Sequence, residues 1–396
     1  MTQTLLTDTK VTREALRILH QKLNFVGSID RQYDDRFART GAKIGTSLQI
    51  REPNQYTVRT GKTIDVQDTA ETSQTLTVAT QKGVDVNFSS AELTMSLDDF
   101  SKRILEPAMS VLAANIEADA MSMYKDVYNS VWSSGSALTY NDVLDARVLM
   151  QRSLAPMSDR TANLNPQDMV DVIQDTKTLF NNQAEIAKQY REGYVGRAAG
   201  FDFVENTLWA GHTRGDAASR VCNTSTGITS GTATITVSGG SGTIKQGDVF
   251  IIEGVYSVHP ETKASTGVLQ QFVATADSTT SVAVSPTPVT SGAKQNITIS
   301  SAGSGKTVTV SGTEMADSDS TSLLYQKEAF TFVTADLEMP GGVDFGKREQ
   351  VDGISLRIVR AYDINNDNLP CRIDVLYGYK TLRPGSAARL HFNLNS

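Results

Sequence analysis

The stretch Leu97–Val131, LDDFSKRILEPAMSVLAANIEADAMSMYKDVYNSV, restricts what this chain can fold into more than any other. Leu105, Met109, Leu112, Ile116, Ala120, Met123, Val127 and Val131 recur at intervals of three and four. That spacing places them on one stripe of a helix about nine turns long, roughly three times the ordinary length. Asp98 and Asp99 stand where an N-cap and first-turn acids complement the helix dipole. Pro107 lies inside the pattern, so either the helix kinks there or Pro107 opens a second, longer helix. The remaining acids of this stretch, Glu106, Glu117, Asp119 and Asp126, read as a solvated or interface face rather than as acid–base pairs.

At 396 residues the chain is long enough for two or three domains. Its net charge of −7 disfavours tight non-specific binding to nucleic acid, which needs clustered Lys and Arg. The N-terminus MTQTLLTDTKVTREALRIL has no apolar run behind basic residues, so no secretory signal is expected. No window reaches the roughly eighteen apolar residues of a membrane span. Cys222 and Cys371 lie far apart and read as two buried thiols in a reducing cytoplasm.

Residues 11–25 predict an amphipathic helix with Leu16, Leu19 and Leu23 on one side, followed by a charge-dense segment to Arg39 that reads either as an arm laid over a partner or as a solvated helix. From Gly41 the pattern is extended. Leu48 and Ile50, then Tyr56 and Val58, alternate about Pro53-Asn54, which predicts a hairpin turning there. This hairpin carries Lys43, Arg51, Arg59 and Lys62 against Glu52 alone, and an isolated hairpin is marginal, so it needs a surface to lie on. Short strands follow near Leu76–Ala79 and Val84–Phe88. Helices are expected from an N-cap at Asn141 and from Pro166 to about Phe180, before the glycine-punctuated REGYVGRAAGFDFVENT at 191–207.

Residues 223–322 are rich in Ser, Thr and Gly and poor in charge. Strand-like runs at Thr232–Val237, Val249–Ile252, Val268–Ala274, Ser281–Val284, Gln295–Ile299 and Thr307–Val310 predict a small β-sandwich or barrel. Charged, mixed sequence returns afterwards, so this unit reads as an insertion. In the tail, Ile354, Leu356 and Ile358 and then CRIDVLYGYKTLRPGSAARL predict two antiparallel strands closing the surrounding domain.

The motifs that suggest chemistry are weak. GSGKT at Gly303–Thr307 lacks the glycine a phosphate loop needs at Ser300 and precedes a strand pattern, TVTVSG, instead of a helix. His20, His212, His259 and His391 are scattered without metal-ligand spacing. No cofactor is expected, and nothing in the chain requires a reaction.

Taken in order, TLTVATQKGVDVNFSSAEL running into SLDDFSKRILEPAMSVLAANIEADA, then NPQDMVDVI, REGYVGRAAGFDF, GTIKQGDVFIIEGV and CRIDVLYGYKTLRPG resemble the major capsid protein of tailed bacteriophages. The nearest type is the coat protein of the short-tailed Salmonella phages, an α+β fold (the Hong Kong 97 fold) with an immunoglobulin-like insertion. The resemblance implies an N-terminal arm (1–40), an extended loop with flanking strands (41–80), a peripheral domain with a spine helix (81–135), a first axial part (136–222), the inserted β domain (223–322) and return strands (323–396). It implies a structural protein of the virion capsid, assembled in the host cytoplasm as hexamers and pentamers on a scaffolding protein. A portal protein and packaged double-stranded DNA, bound without sequence preference, would be its other partners, and no membrane is involved. The extended-loop cations Lys43, Arg51, Arg59 and Lys62 would lie over a neighbour's spine acids Glu92, Asp98, Asp99, Glu106 and Glu117, with Leu105, Leu112, Ile116 and Met123 as spine core. The family's long charged loop early in the insertion is missing: Ile228–Gly247 is short and almost uncharged, so another loop or a decoration protein would have to supply its contact. Two rivals remain. One is a phage tail or adhesin protein working through the β module; the other is a carbohydrate-active enzyme, which two tryptophans equip poorly with aromatic platforms.

Overall fold

The structure is a computed structural model and describes residues 8–34, 46–64, 66–68, 71–88, 104–133, 136–176, 196–300, 303, 305–312, 318–343, 345–351, 353–364 and 369–395. The chain divides into two compact units, each assembled from segments distant in sequence. One takes residues 1–51, 73–121 and 330–380; the other takes 52–72, 122–329 and 381–396.

In the first unit, α1 (Asp8–Lys22) buries Leu16 and Leu19, and the short α2 (Phe25–Ser28) buries Phe25 and Val26. Its main sheet runs β1 (Asp30–Asp34), β17 (Phe330–Ala335), β20 (Leu369–Thr381), β19 (Ile354–Arg360) and β18 (Phe345–Val351). Strand β4 (Thr80–Phe88) adds antiparallel to β20, with Val86 opposite Cys371 and Val84 opposite Ile373. Every residue of β17 is buried, as expected of a strand covered on both faces. A separate hairpin pairs β2 (Thr46–Arg51) with β3 (Ser73–Val78).

The spine helix α3 runs from Glu106 to Met121. A π turn at Ile104–Leu105 leads into it, and Pro107 occupies its first turn, where a missing N–H costs nothing. Residues 97–103 lie outside the described residues. The expected continuation to Val131 does not hold. The chain tightens into a 3-10 turn at Ser122–Asp126, and Ser130–Trp132 becomes strand β5. The C-terminal strand supplies the reason: β5 pairs with it in parallel, and Asn129 Nδ2 donates to the carbonyls of Gly385 (3.1 Å) and Ala387 (3.0 Å). A ladder from distant sequence outbids the local helical period.

The second unit holds a mixed sheet in the order β5, β21 (Ala387–Asn395), β16 (Ser318–Gln326), β6 (Arg160–Leu164), β8 (Phe201–Glu205), β7 (Arg197–Ala198). Helices α4 (Tyr140–Arg152) and α5 (Pro166–Thr176) cover one face around Val143, Met150, Val172, Phe201, Leu324, Leu390 and Phe392. The N-cap of α4 is Thr139 and not Asn141. Thr139 forms a capping box with Asp142, which satisfies two backbone donors at once. The tail therefore serves two sheets, β19–β20 in one unit and β21 in the other, instead of closing one.

The Ser/Thr/Gly-rich region takes the barrel form. Strands β12 (Ser265–Ala274), β13 (Ser281–Ser285), β10 (Thr234–Ser238), β9 (Val221–Cys222), β15 (Lys306–Val310) and β11 (Val249–Val258) pair in that order, and β11 pairs again with β12 to close the ring. Closure removes exposed strand edges. Strand β14 (Ile297–Ile299) extends the far half of β11. The core gathers Phe250, Phe272, Ile235, Ile252, Val282 and Cys222. Strand β9 precedes the expected boundary at residue 223, because a two-residue strand leaves no periodic signal.

Candidate functional site

The hairpin turns later than its sequence suggests. Leu48 lies opposite Leu76 and Ile50 opposite Gln74, so Tyr56 and Val58 are not their partners. Pro53-Asn54 does not turn the chain; the bends fall at residues 61–63, where Gly61 has φ +103°. Burial decided the pairing. Leu76 and Val78 pack with Val333, Ala335 and Leu376, and Leu48 and Ile50 add to that cluster, which no 48/58 pairing would reach. Gly378 of β20 allows the close crossing, since a Cβ there would stand 2.4 Å from the Thr77 carbonyl oxygen.

Between the paired strands, the described residues 52–64 and 66–68 form no strand of their own. Side chains hold the loop together: Gln67 accepts from Thr57 N (2.8 Å) and donates to Thr57 O (2.6 Å). Arg59 donates to the carbonyls of Gly61 and Thr63. Arg51, Arg59 and Lys62 are exposed, whereas Lys43 lies outside the described residues. Tyr56 and Val58, expected as strand residues of the hairpin, are exposed, and the sequence does not single out Ile64 and Val66 beside them. Val58 is 94% exposed, Val66 83% and Ile64 76%, and Tyr56 is more than half exposed. Four large apolar groups on one loop are thus exposed to water.

On the spine, Leu105, Leu112, Ile116 and Met123 are all buried, with Met109 and Ala120 beside them. The acids diverge. Glu106 is exposed, and Glu92, Asp98 and Asp99 lie outside the described residues. Glu117 is a correction: it is 1% exposed, so it cannot face a neighbour's loop. Its carboxylate accepts from the backbone N–H groups of Phe25 (3.0 Å) and Val26 (3.2 Å), holding α2 onto the spine. Asp119 is likewise engaged, 2.7 Å from Lys82 Nζ and accepting from Tyr377 Oη at 2.5 Å. Burial first, then the hydrogen bond to Asp119, raises the Tyr377 phenol well above its ordinary range.

Two of the scattered histidines meet. His212 and His391 have ring centroids 5.5 Å apart, and His212 Nε2 lies 3.0 Å from Asp248 Oδ1. Among the described residues no cluster of three or more His, Cys, Asp or Glu could hold a metal. Lys306 of GSGKT opens strand β15 opposite Cys222, so no helix follows to cradle a phosphate.

The sequence matches the P22 coat protein family, gene protein 5, over residues 29–389. The chain belongs to that family. It is a tailed-phage major capsid protein with the mixed α+β phage-capsid (Hong Kong 97) fold, structural and not enzymatic, and its place is the virion capsid. Among solved structures, one from Mycobacterium phage Che8 is 11% identical, covering 93% of this chain and 90% of that one with a TM-score of 0.48. The capsid of the cyanophage P-SCSP1u is 12% identical, covering 92% and 86% at 0.46. The mature capsid of bacteriophage PhiM1 is 11% identical, covering 91% and 85% at 0.45. No curated protein sequence matches the chain. In this capsid protein Ile228–Gly247 forms part of the barrel wall: Ile228 bridges to Ile235, Ile244 to Ser278, and β10 lies between them. It provides no projecting charged loop.

Proposed function

We propose that the chain is the hexamer- and pentamer-forming subunit of an icosahedral head that encloses double-stranded DNA. It is assembled in the bacterial host cytoplasm on a scaffolding protein, with a portal protein and, where a contact is missing, a decoration protein. The loop at 52–68 is the arm that reaches a neighbouring copy. The observation that carries this reading is the contrast between the buried root of the hairpin and the exposed apolar side chains of residues 56–66. Lys43, Arg51, Arg59 and Lys62 add charge complementarity to the neighbour's Glu92, Asp98, Asp99 and Glu106.

Magnitudes rank the two contributions. An exposed ion pair contributes about 0.2–1 kcal/mol, whereas fully burying a Val or Ile side chain contributes about 1.5–3 kcal/mol. The apolar groups should therefore dominate, and the charges should set register and salt dependence. Electron microscopy of the purified protein, made with and without its scaffolding protein, tests the reading. Closed shells of uniform size are expected with the scaffold. Val58→Asp with Val66→Asp should abolish them, while Arg51→Glu with Arg59→Glu should lower the yield and weaken its dependence on salt. Monomers that never close, or normal shells from the double Asp variant, would overturn the assignment of the loop.

A further inference from the structure

The mixed sheet of the second unit has two unlike faces. Leu390 and Phe392 of β21 point into the helix-covered core. Strand alternation puts Arg389 and His391 on the opposite face, beside Ser130 and Trp132 of β5 and Leu323 and Thr321 of β16. The barrel sits on that polar face. Arg389 Nη2 donates to Gly247 O (2.8 Å), just before β11. The Gln271 side chain of β12 accepts from Ser130 N and donates to Ser130 O, each at 2.8 Å. His212, in the connection leading to the barrel, exchanges backbone hydrogen bonds with Asp319 at 2.9 and 3.1 Å. Gly247 is required here: its φ is +93°, and a Cβ would stand 3.0 Å from the His212 ring.

Polar atoms are left over at this seat. Arg389 is fully buried with Nε and Nη1 unpartnered, and His391 Nδ1, Thr321 Oγ1 and Ser130 Oγ are also buried without a hydrogen bond. The charged and titratable groups around His391 and Arg389 come from each packed element. Arg389 shares the strand of His391 and His212 approaches from the connection, while Tyr124 and Asp126 of the 3-10 turn act on Arg389 and Lys125 of that turn packs by Gly247. Asp319 on β16 accepts from Trp132 Nε1, and Asp248 accepts from the backbone N–H groups of Gly215 and Lys245 besides facing His212. Asp248 and Asp126 face Arg389, and the groups that act on His391 itself are Arg389 and His212, both cationic or basic.

We propose that this seat is an acid-sensitive latch: the barrel stays docked on the sheet while His391 is neutral and is released when His391 takes a proton. A proton on His391 in place would put a second cation beside Arg389, in a site that offers its Nδ1 no acceptor. Released into water, the same imidazole takes the proton freely. Burial, then Arg389, then His212 hold the docked imidazole well below its ordinary value. The docked state therefore binds fewer protons than the open one. Docking is fully stable above about pH 6.5 and weakens about tenfold per pH unit below it, until the depressed value is reached. The barrel's own core contains no histidine and is unaffected. The latch belongs to the single chain, so it stands apart from the shell assembly proposed above.

Amide hydrogen exchange on the full-length free subunit from pH 7.5 to 4.5, corrected for intrinsic rates, tests it. Protection at Ser130, His212 and Asp319 should fall by up to about a hundredfold by pH 4.5, while Phe250 and Phe272 in the barrel keep theirs. His391→Gln, which cannot take the proton, should flatten that response. Unchanged protection in the wild type, an equal loss in His391→Gln, or barrel amides opening in step would each overturn the latch. If His391→Gln does not fold, the wild-type His391 ring signal decides: a titration midpoint near 6.5 with the seat still protected refutes it, and a depressed midpoint that tracks loss of protection supports it.

Discussion

Glu117 offers the most quantitative test of how the spine is held. Its carboxylate, buried in the first unit, accepts two backbone hydrogen bonds from α2 across more than ninety residues of sequence. Hydrogen bonds to a charged group contribute about 1.5–3 kcal/mol each, so Glu117→Ala should cost about 3–6 kcal/mol in that unit. Glu117→Gln keeps one acceptor and turns an NH2 toward the other donor, so about half that loss is expected. At about 1.4 kcal/mol per decade, opening of α2 should rise by about two to four decades for Ala and about one to two for Gln. The assay is amide exchange at Phe25 and Val26 in the free subunit, with urea denaturation alongside. Because the chain has two units, a single global midpoint is not the measure. Glu106→Gln, on the exposed face of the same helix, is the control and should change stability by no more than about 0.5 kcal/mol. Exchange at Phe25 and Val26 within a few-fold of wild type in Glu117→Ala would refute the reasoning. So would a control as damaging as the test.

Three further outcomes are expected. Ile116→Asp places an unpaired charge in the spine's apolar layer at a cost of several kcal/mol, so insoluble protein or absent shells should result, and normal shells on micrographs would contradict it. A fragment spanning residues 214–312 should give a cooperative melt, whereas 223–312, which lacks β9, should melt lower or remain unfolded by circular dichroism. Burial pushes the thiols of Cys222 and Cys371 up to about 11 and about 12, so both should resist a thiol reagent at pH 8 in the folded chain and react on denaturation.

Periodic burial was legible in the sequence. The three- and four-residue spacing identified the buried residues from Leu105 to Val127, and alternation located most barrel strands, because each pattern needs only neighbours a turn or a pleat away. Its limits are equally physical. The stripe stays buried past Met121 while the backbone leaves the helix, since burial at Met123 and Val127 does not depend on which backbone geometry carries it. The hairpin turn was misplaced because Pro-Asn is a genuine local turn signal. It lost to the Leu48–Leu76 rung and the apolar cluster beneath it, which join residues far apart in sequence.

Charge is where sequence reading fails most, and the reason is general. An apolar side chain has one favourable destination, the interior, so its pattern reports its environment. An acid or a histidine has several, and the choice depends on donors that sequence does not place nearby. Glu106 and Glu117 lie on one helix, yet one is solvated and the other caps a helix begun more than ninety residues earlier. His212 and His391 show no metal spacing because their relation is set by β21 and by the connection leading to the barrel, which meet only in the folded unit. Counting the acids of the spine as one facing row therefore overstated the electrostatic contact available to a neighbour's loop. With Glu117 and Asp119 already engaged inside the subunit, fewer anions remain for Arg51, Arg59 and Lys62 to meet. In the proposed contact between copies, this shifts the expected weight toward Val58, Ile64 and Val66, whose burial would exceed what the remaining exposed pairs can contribute.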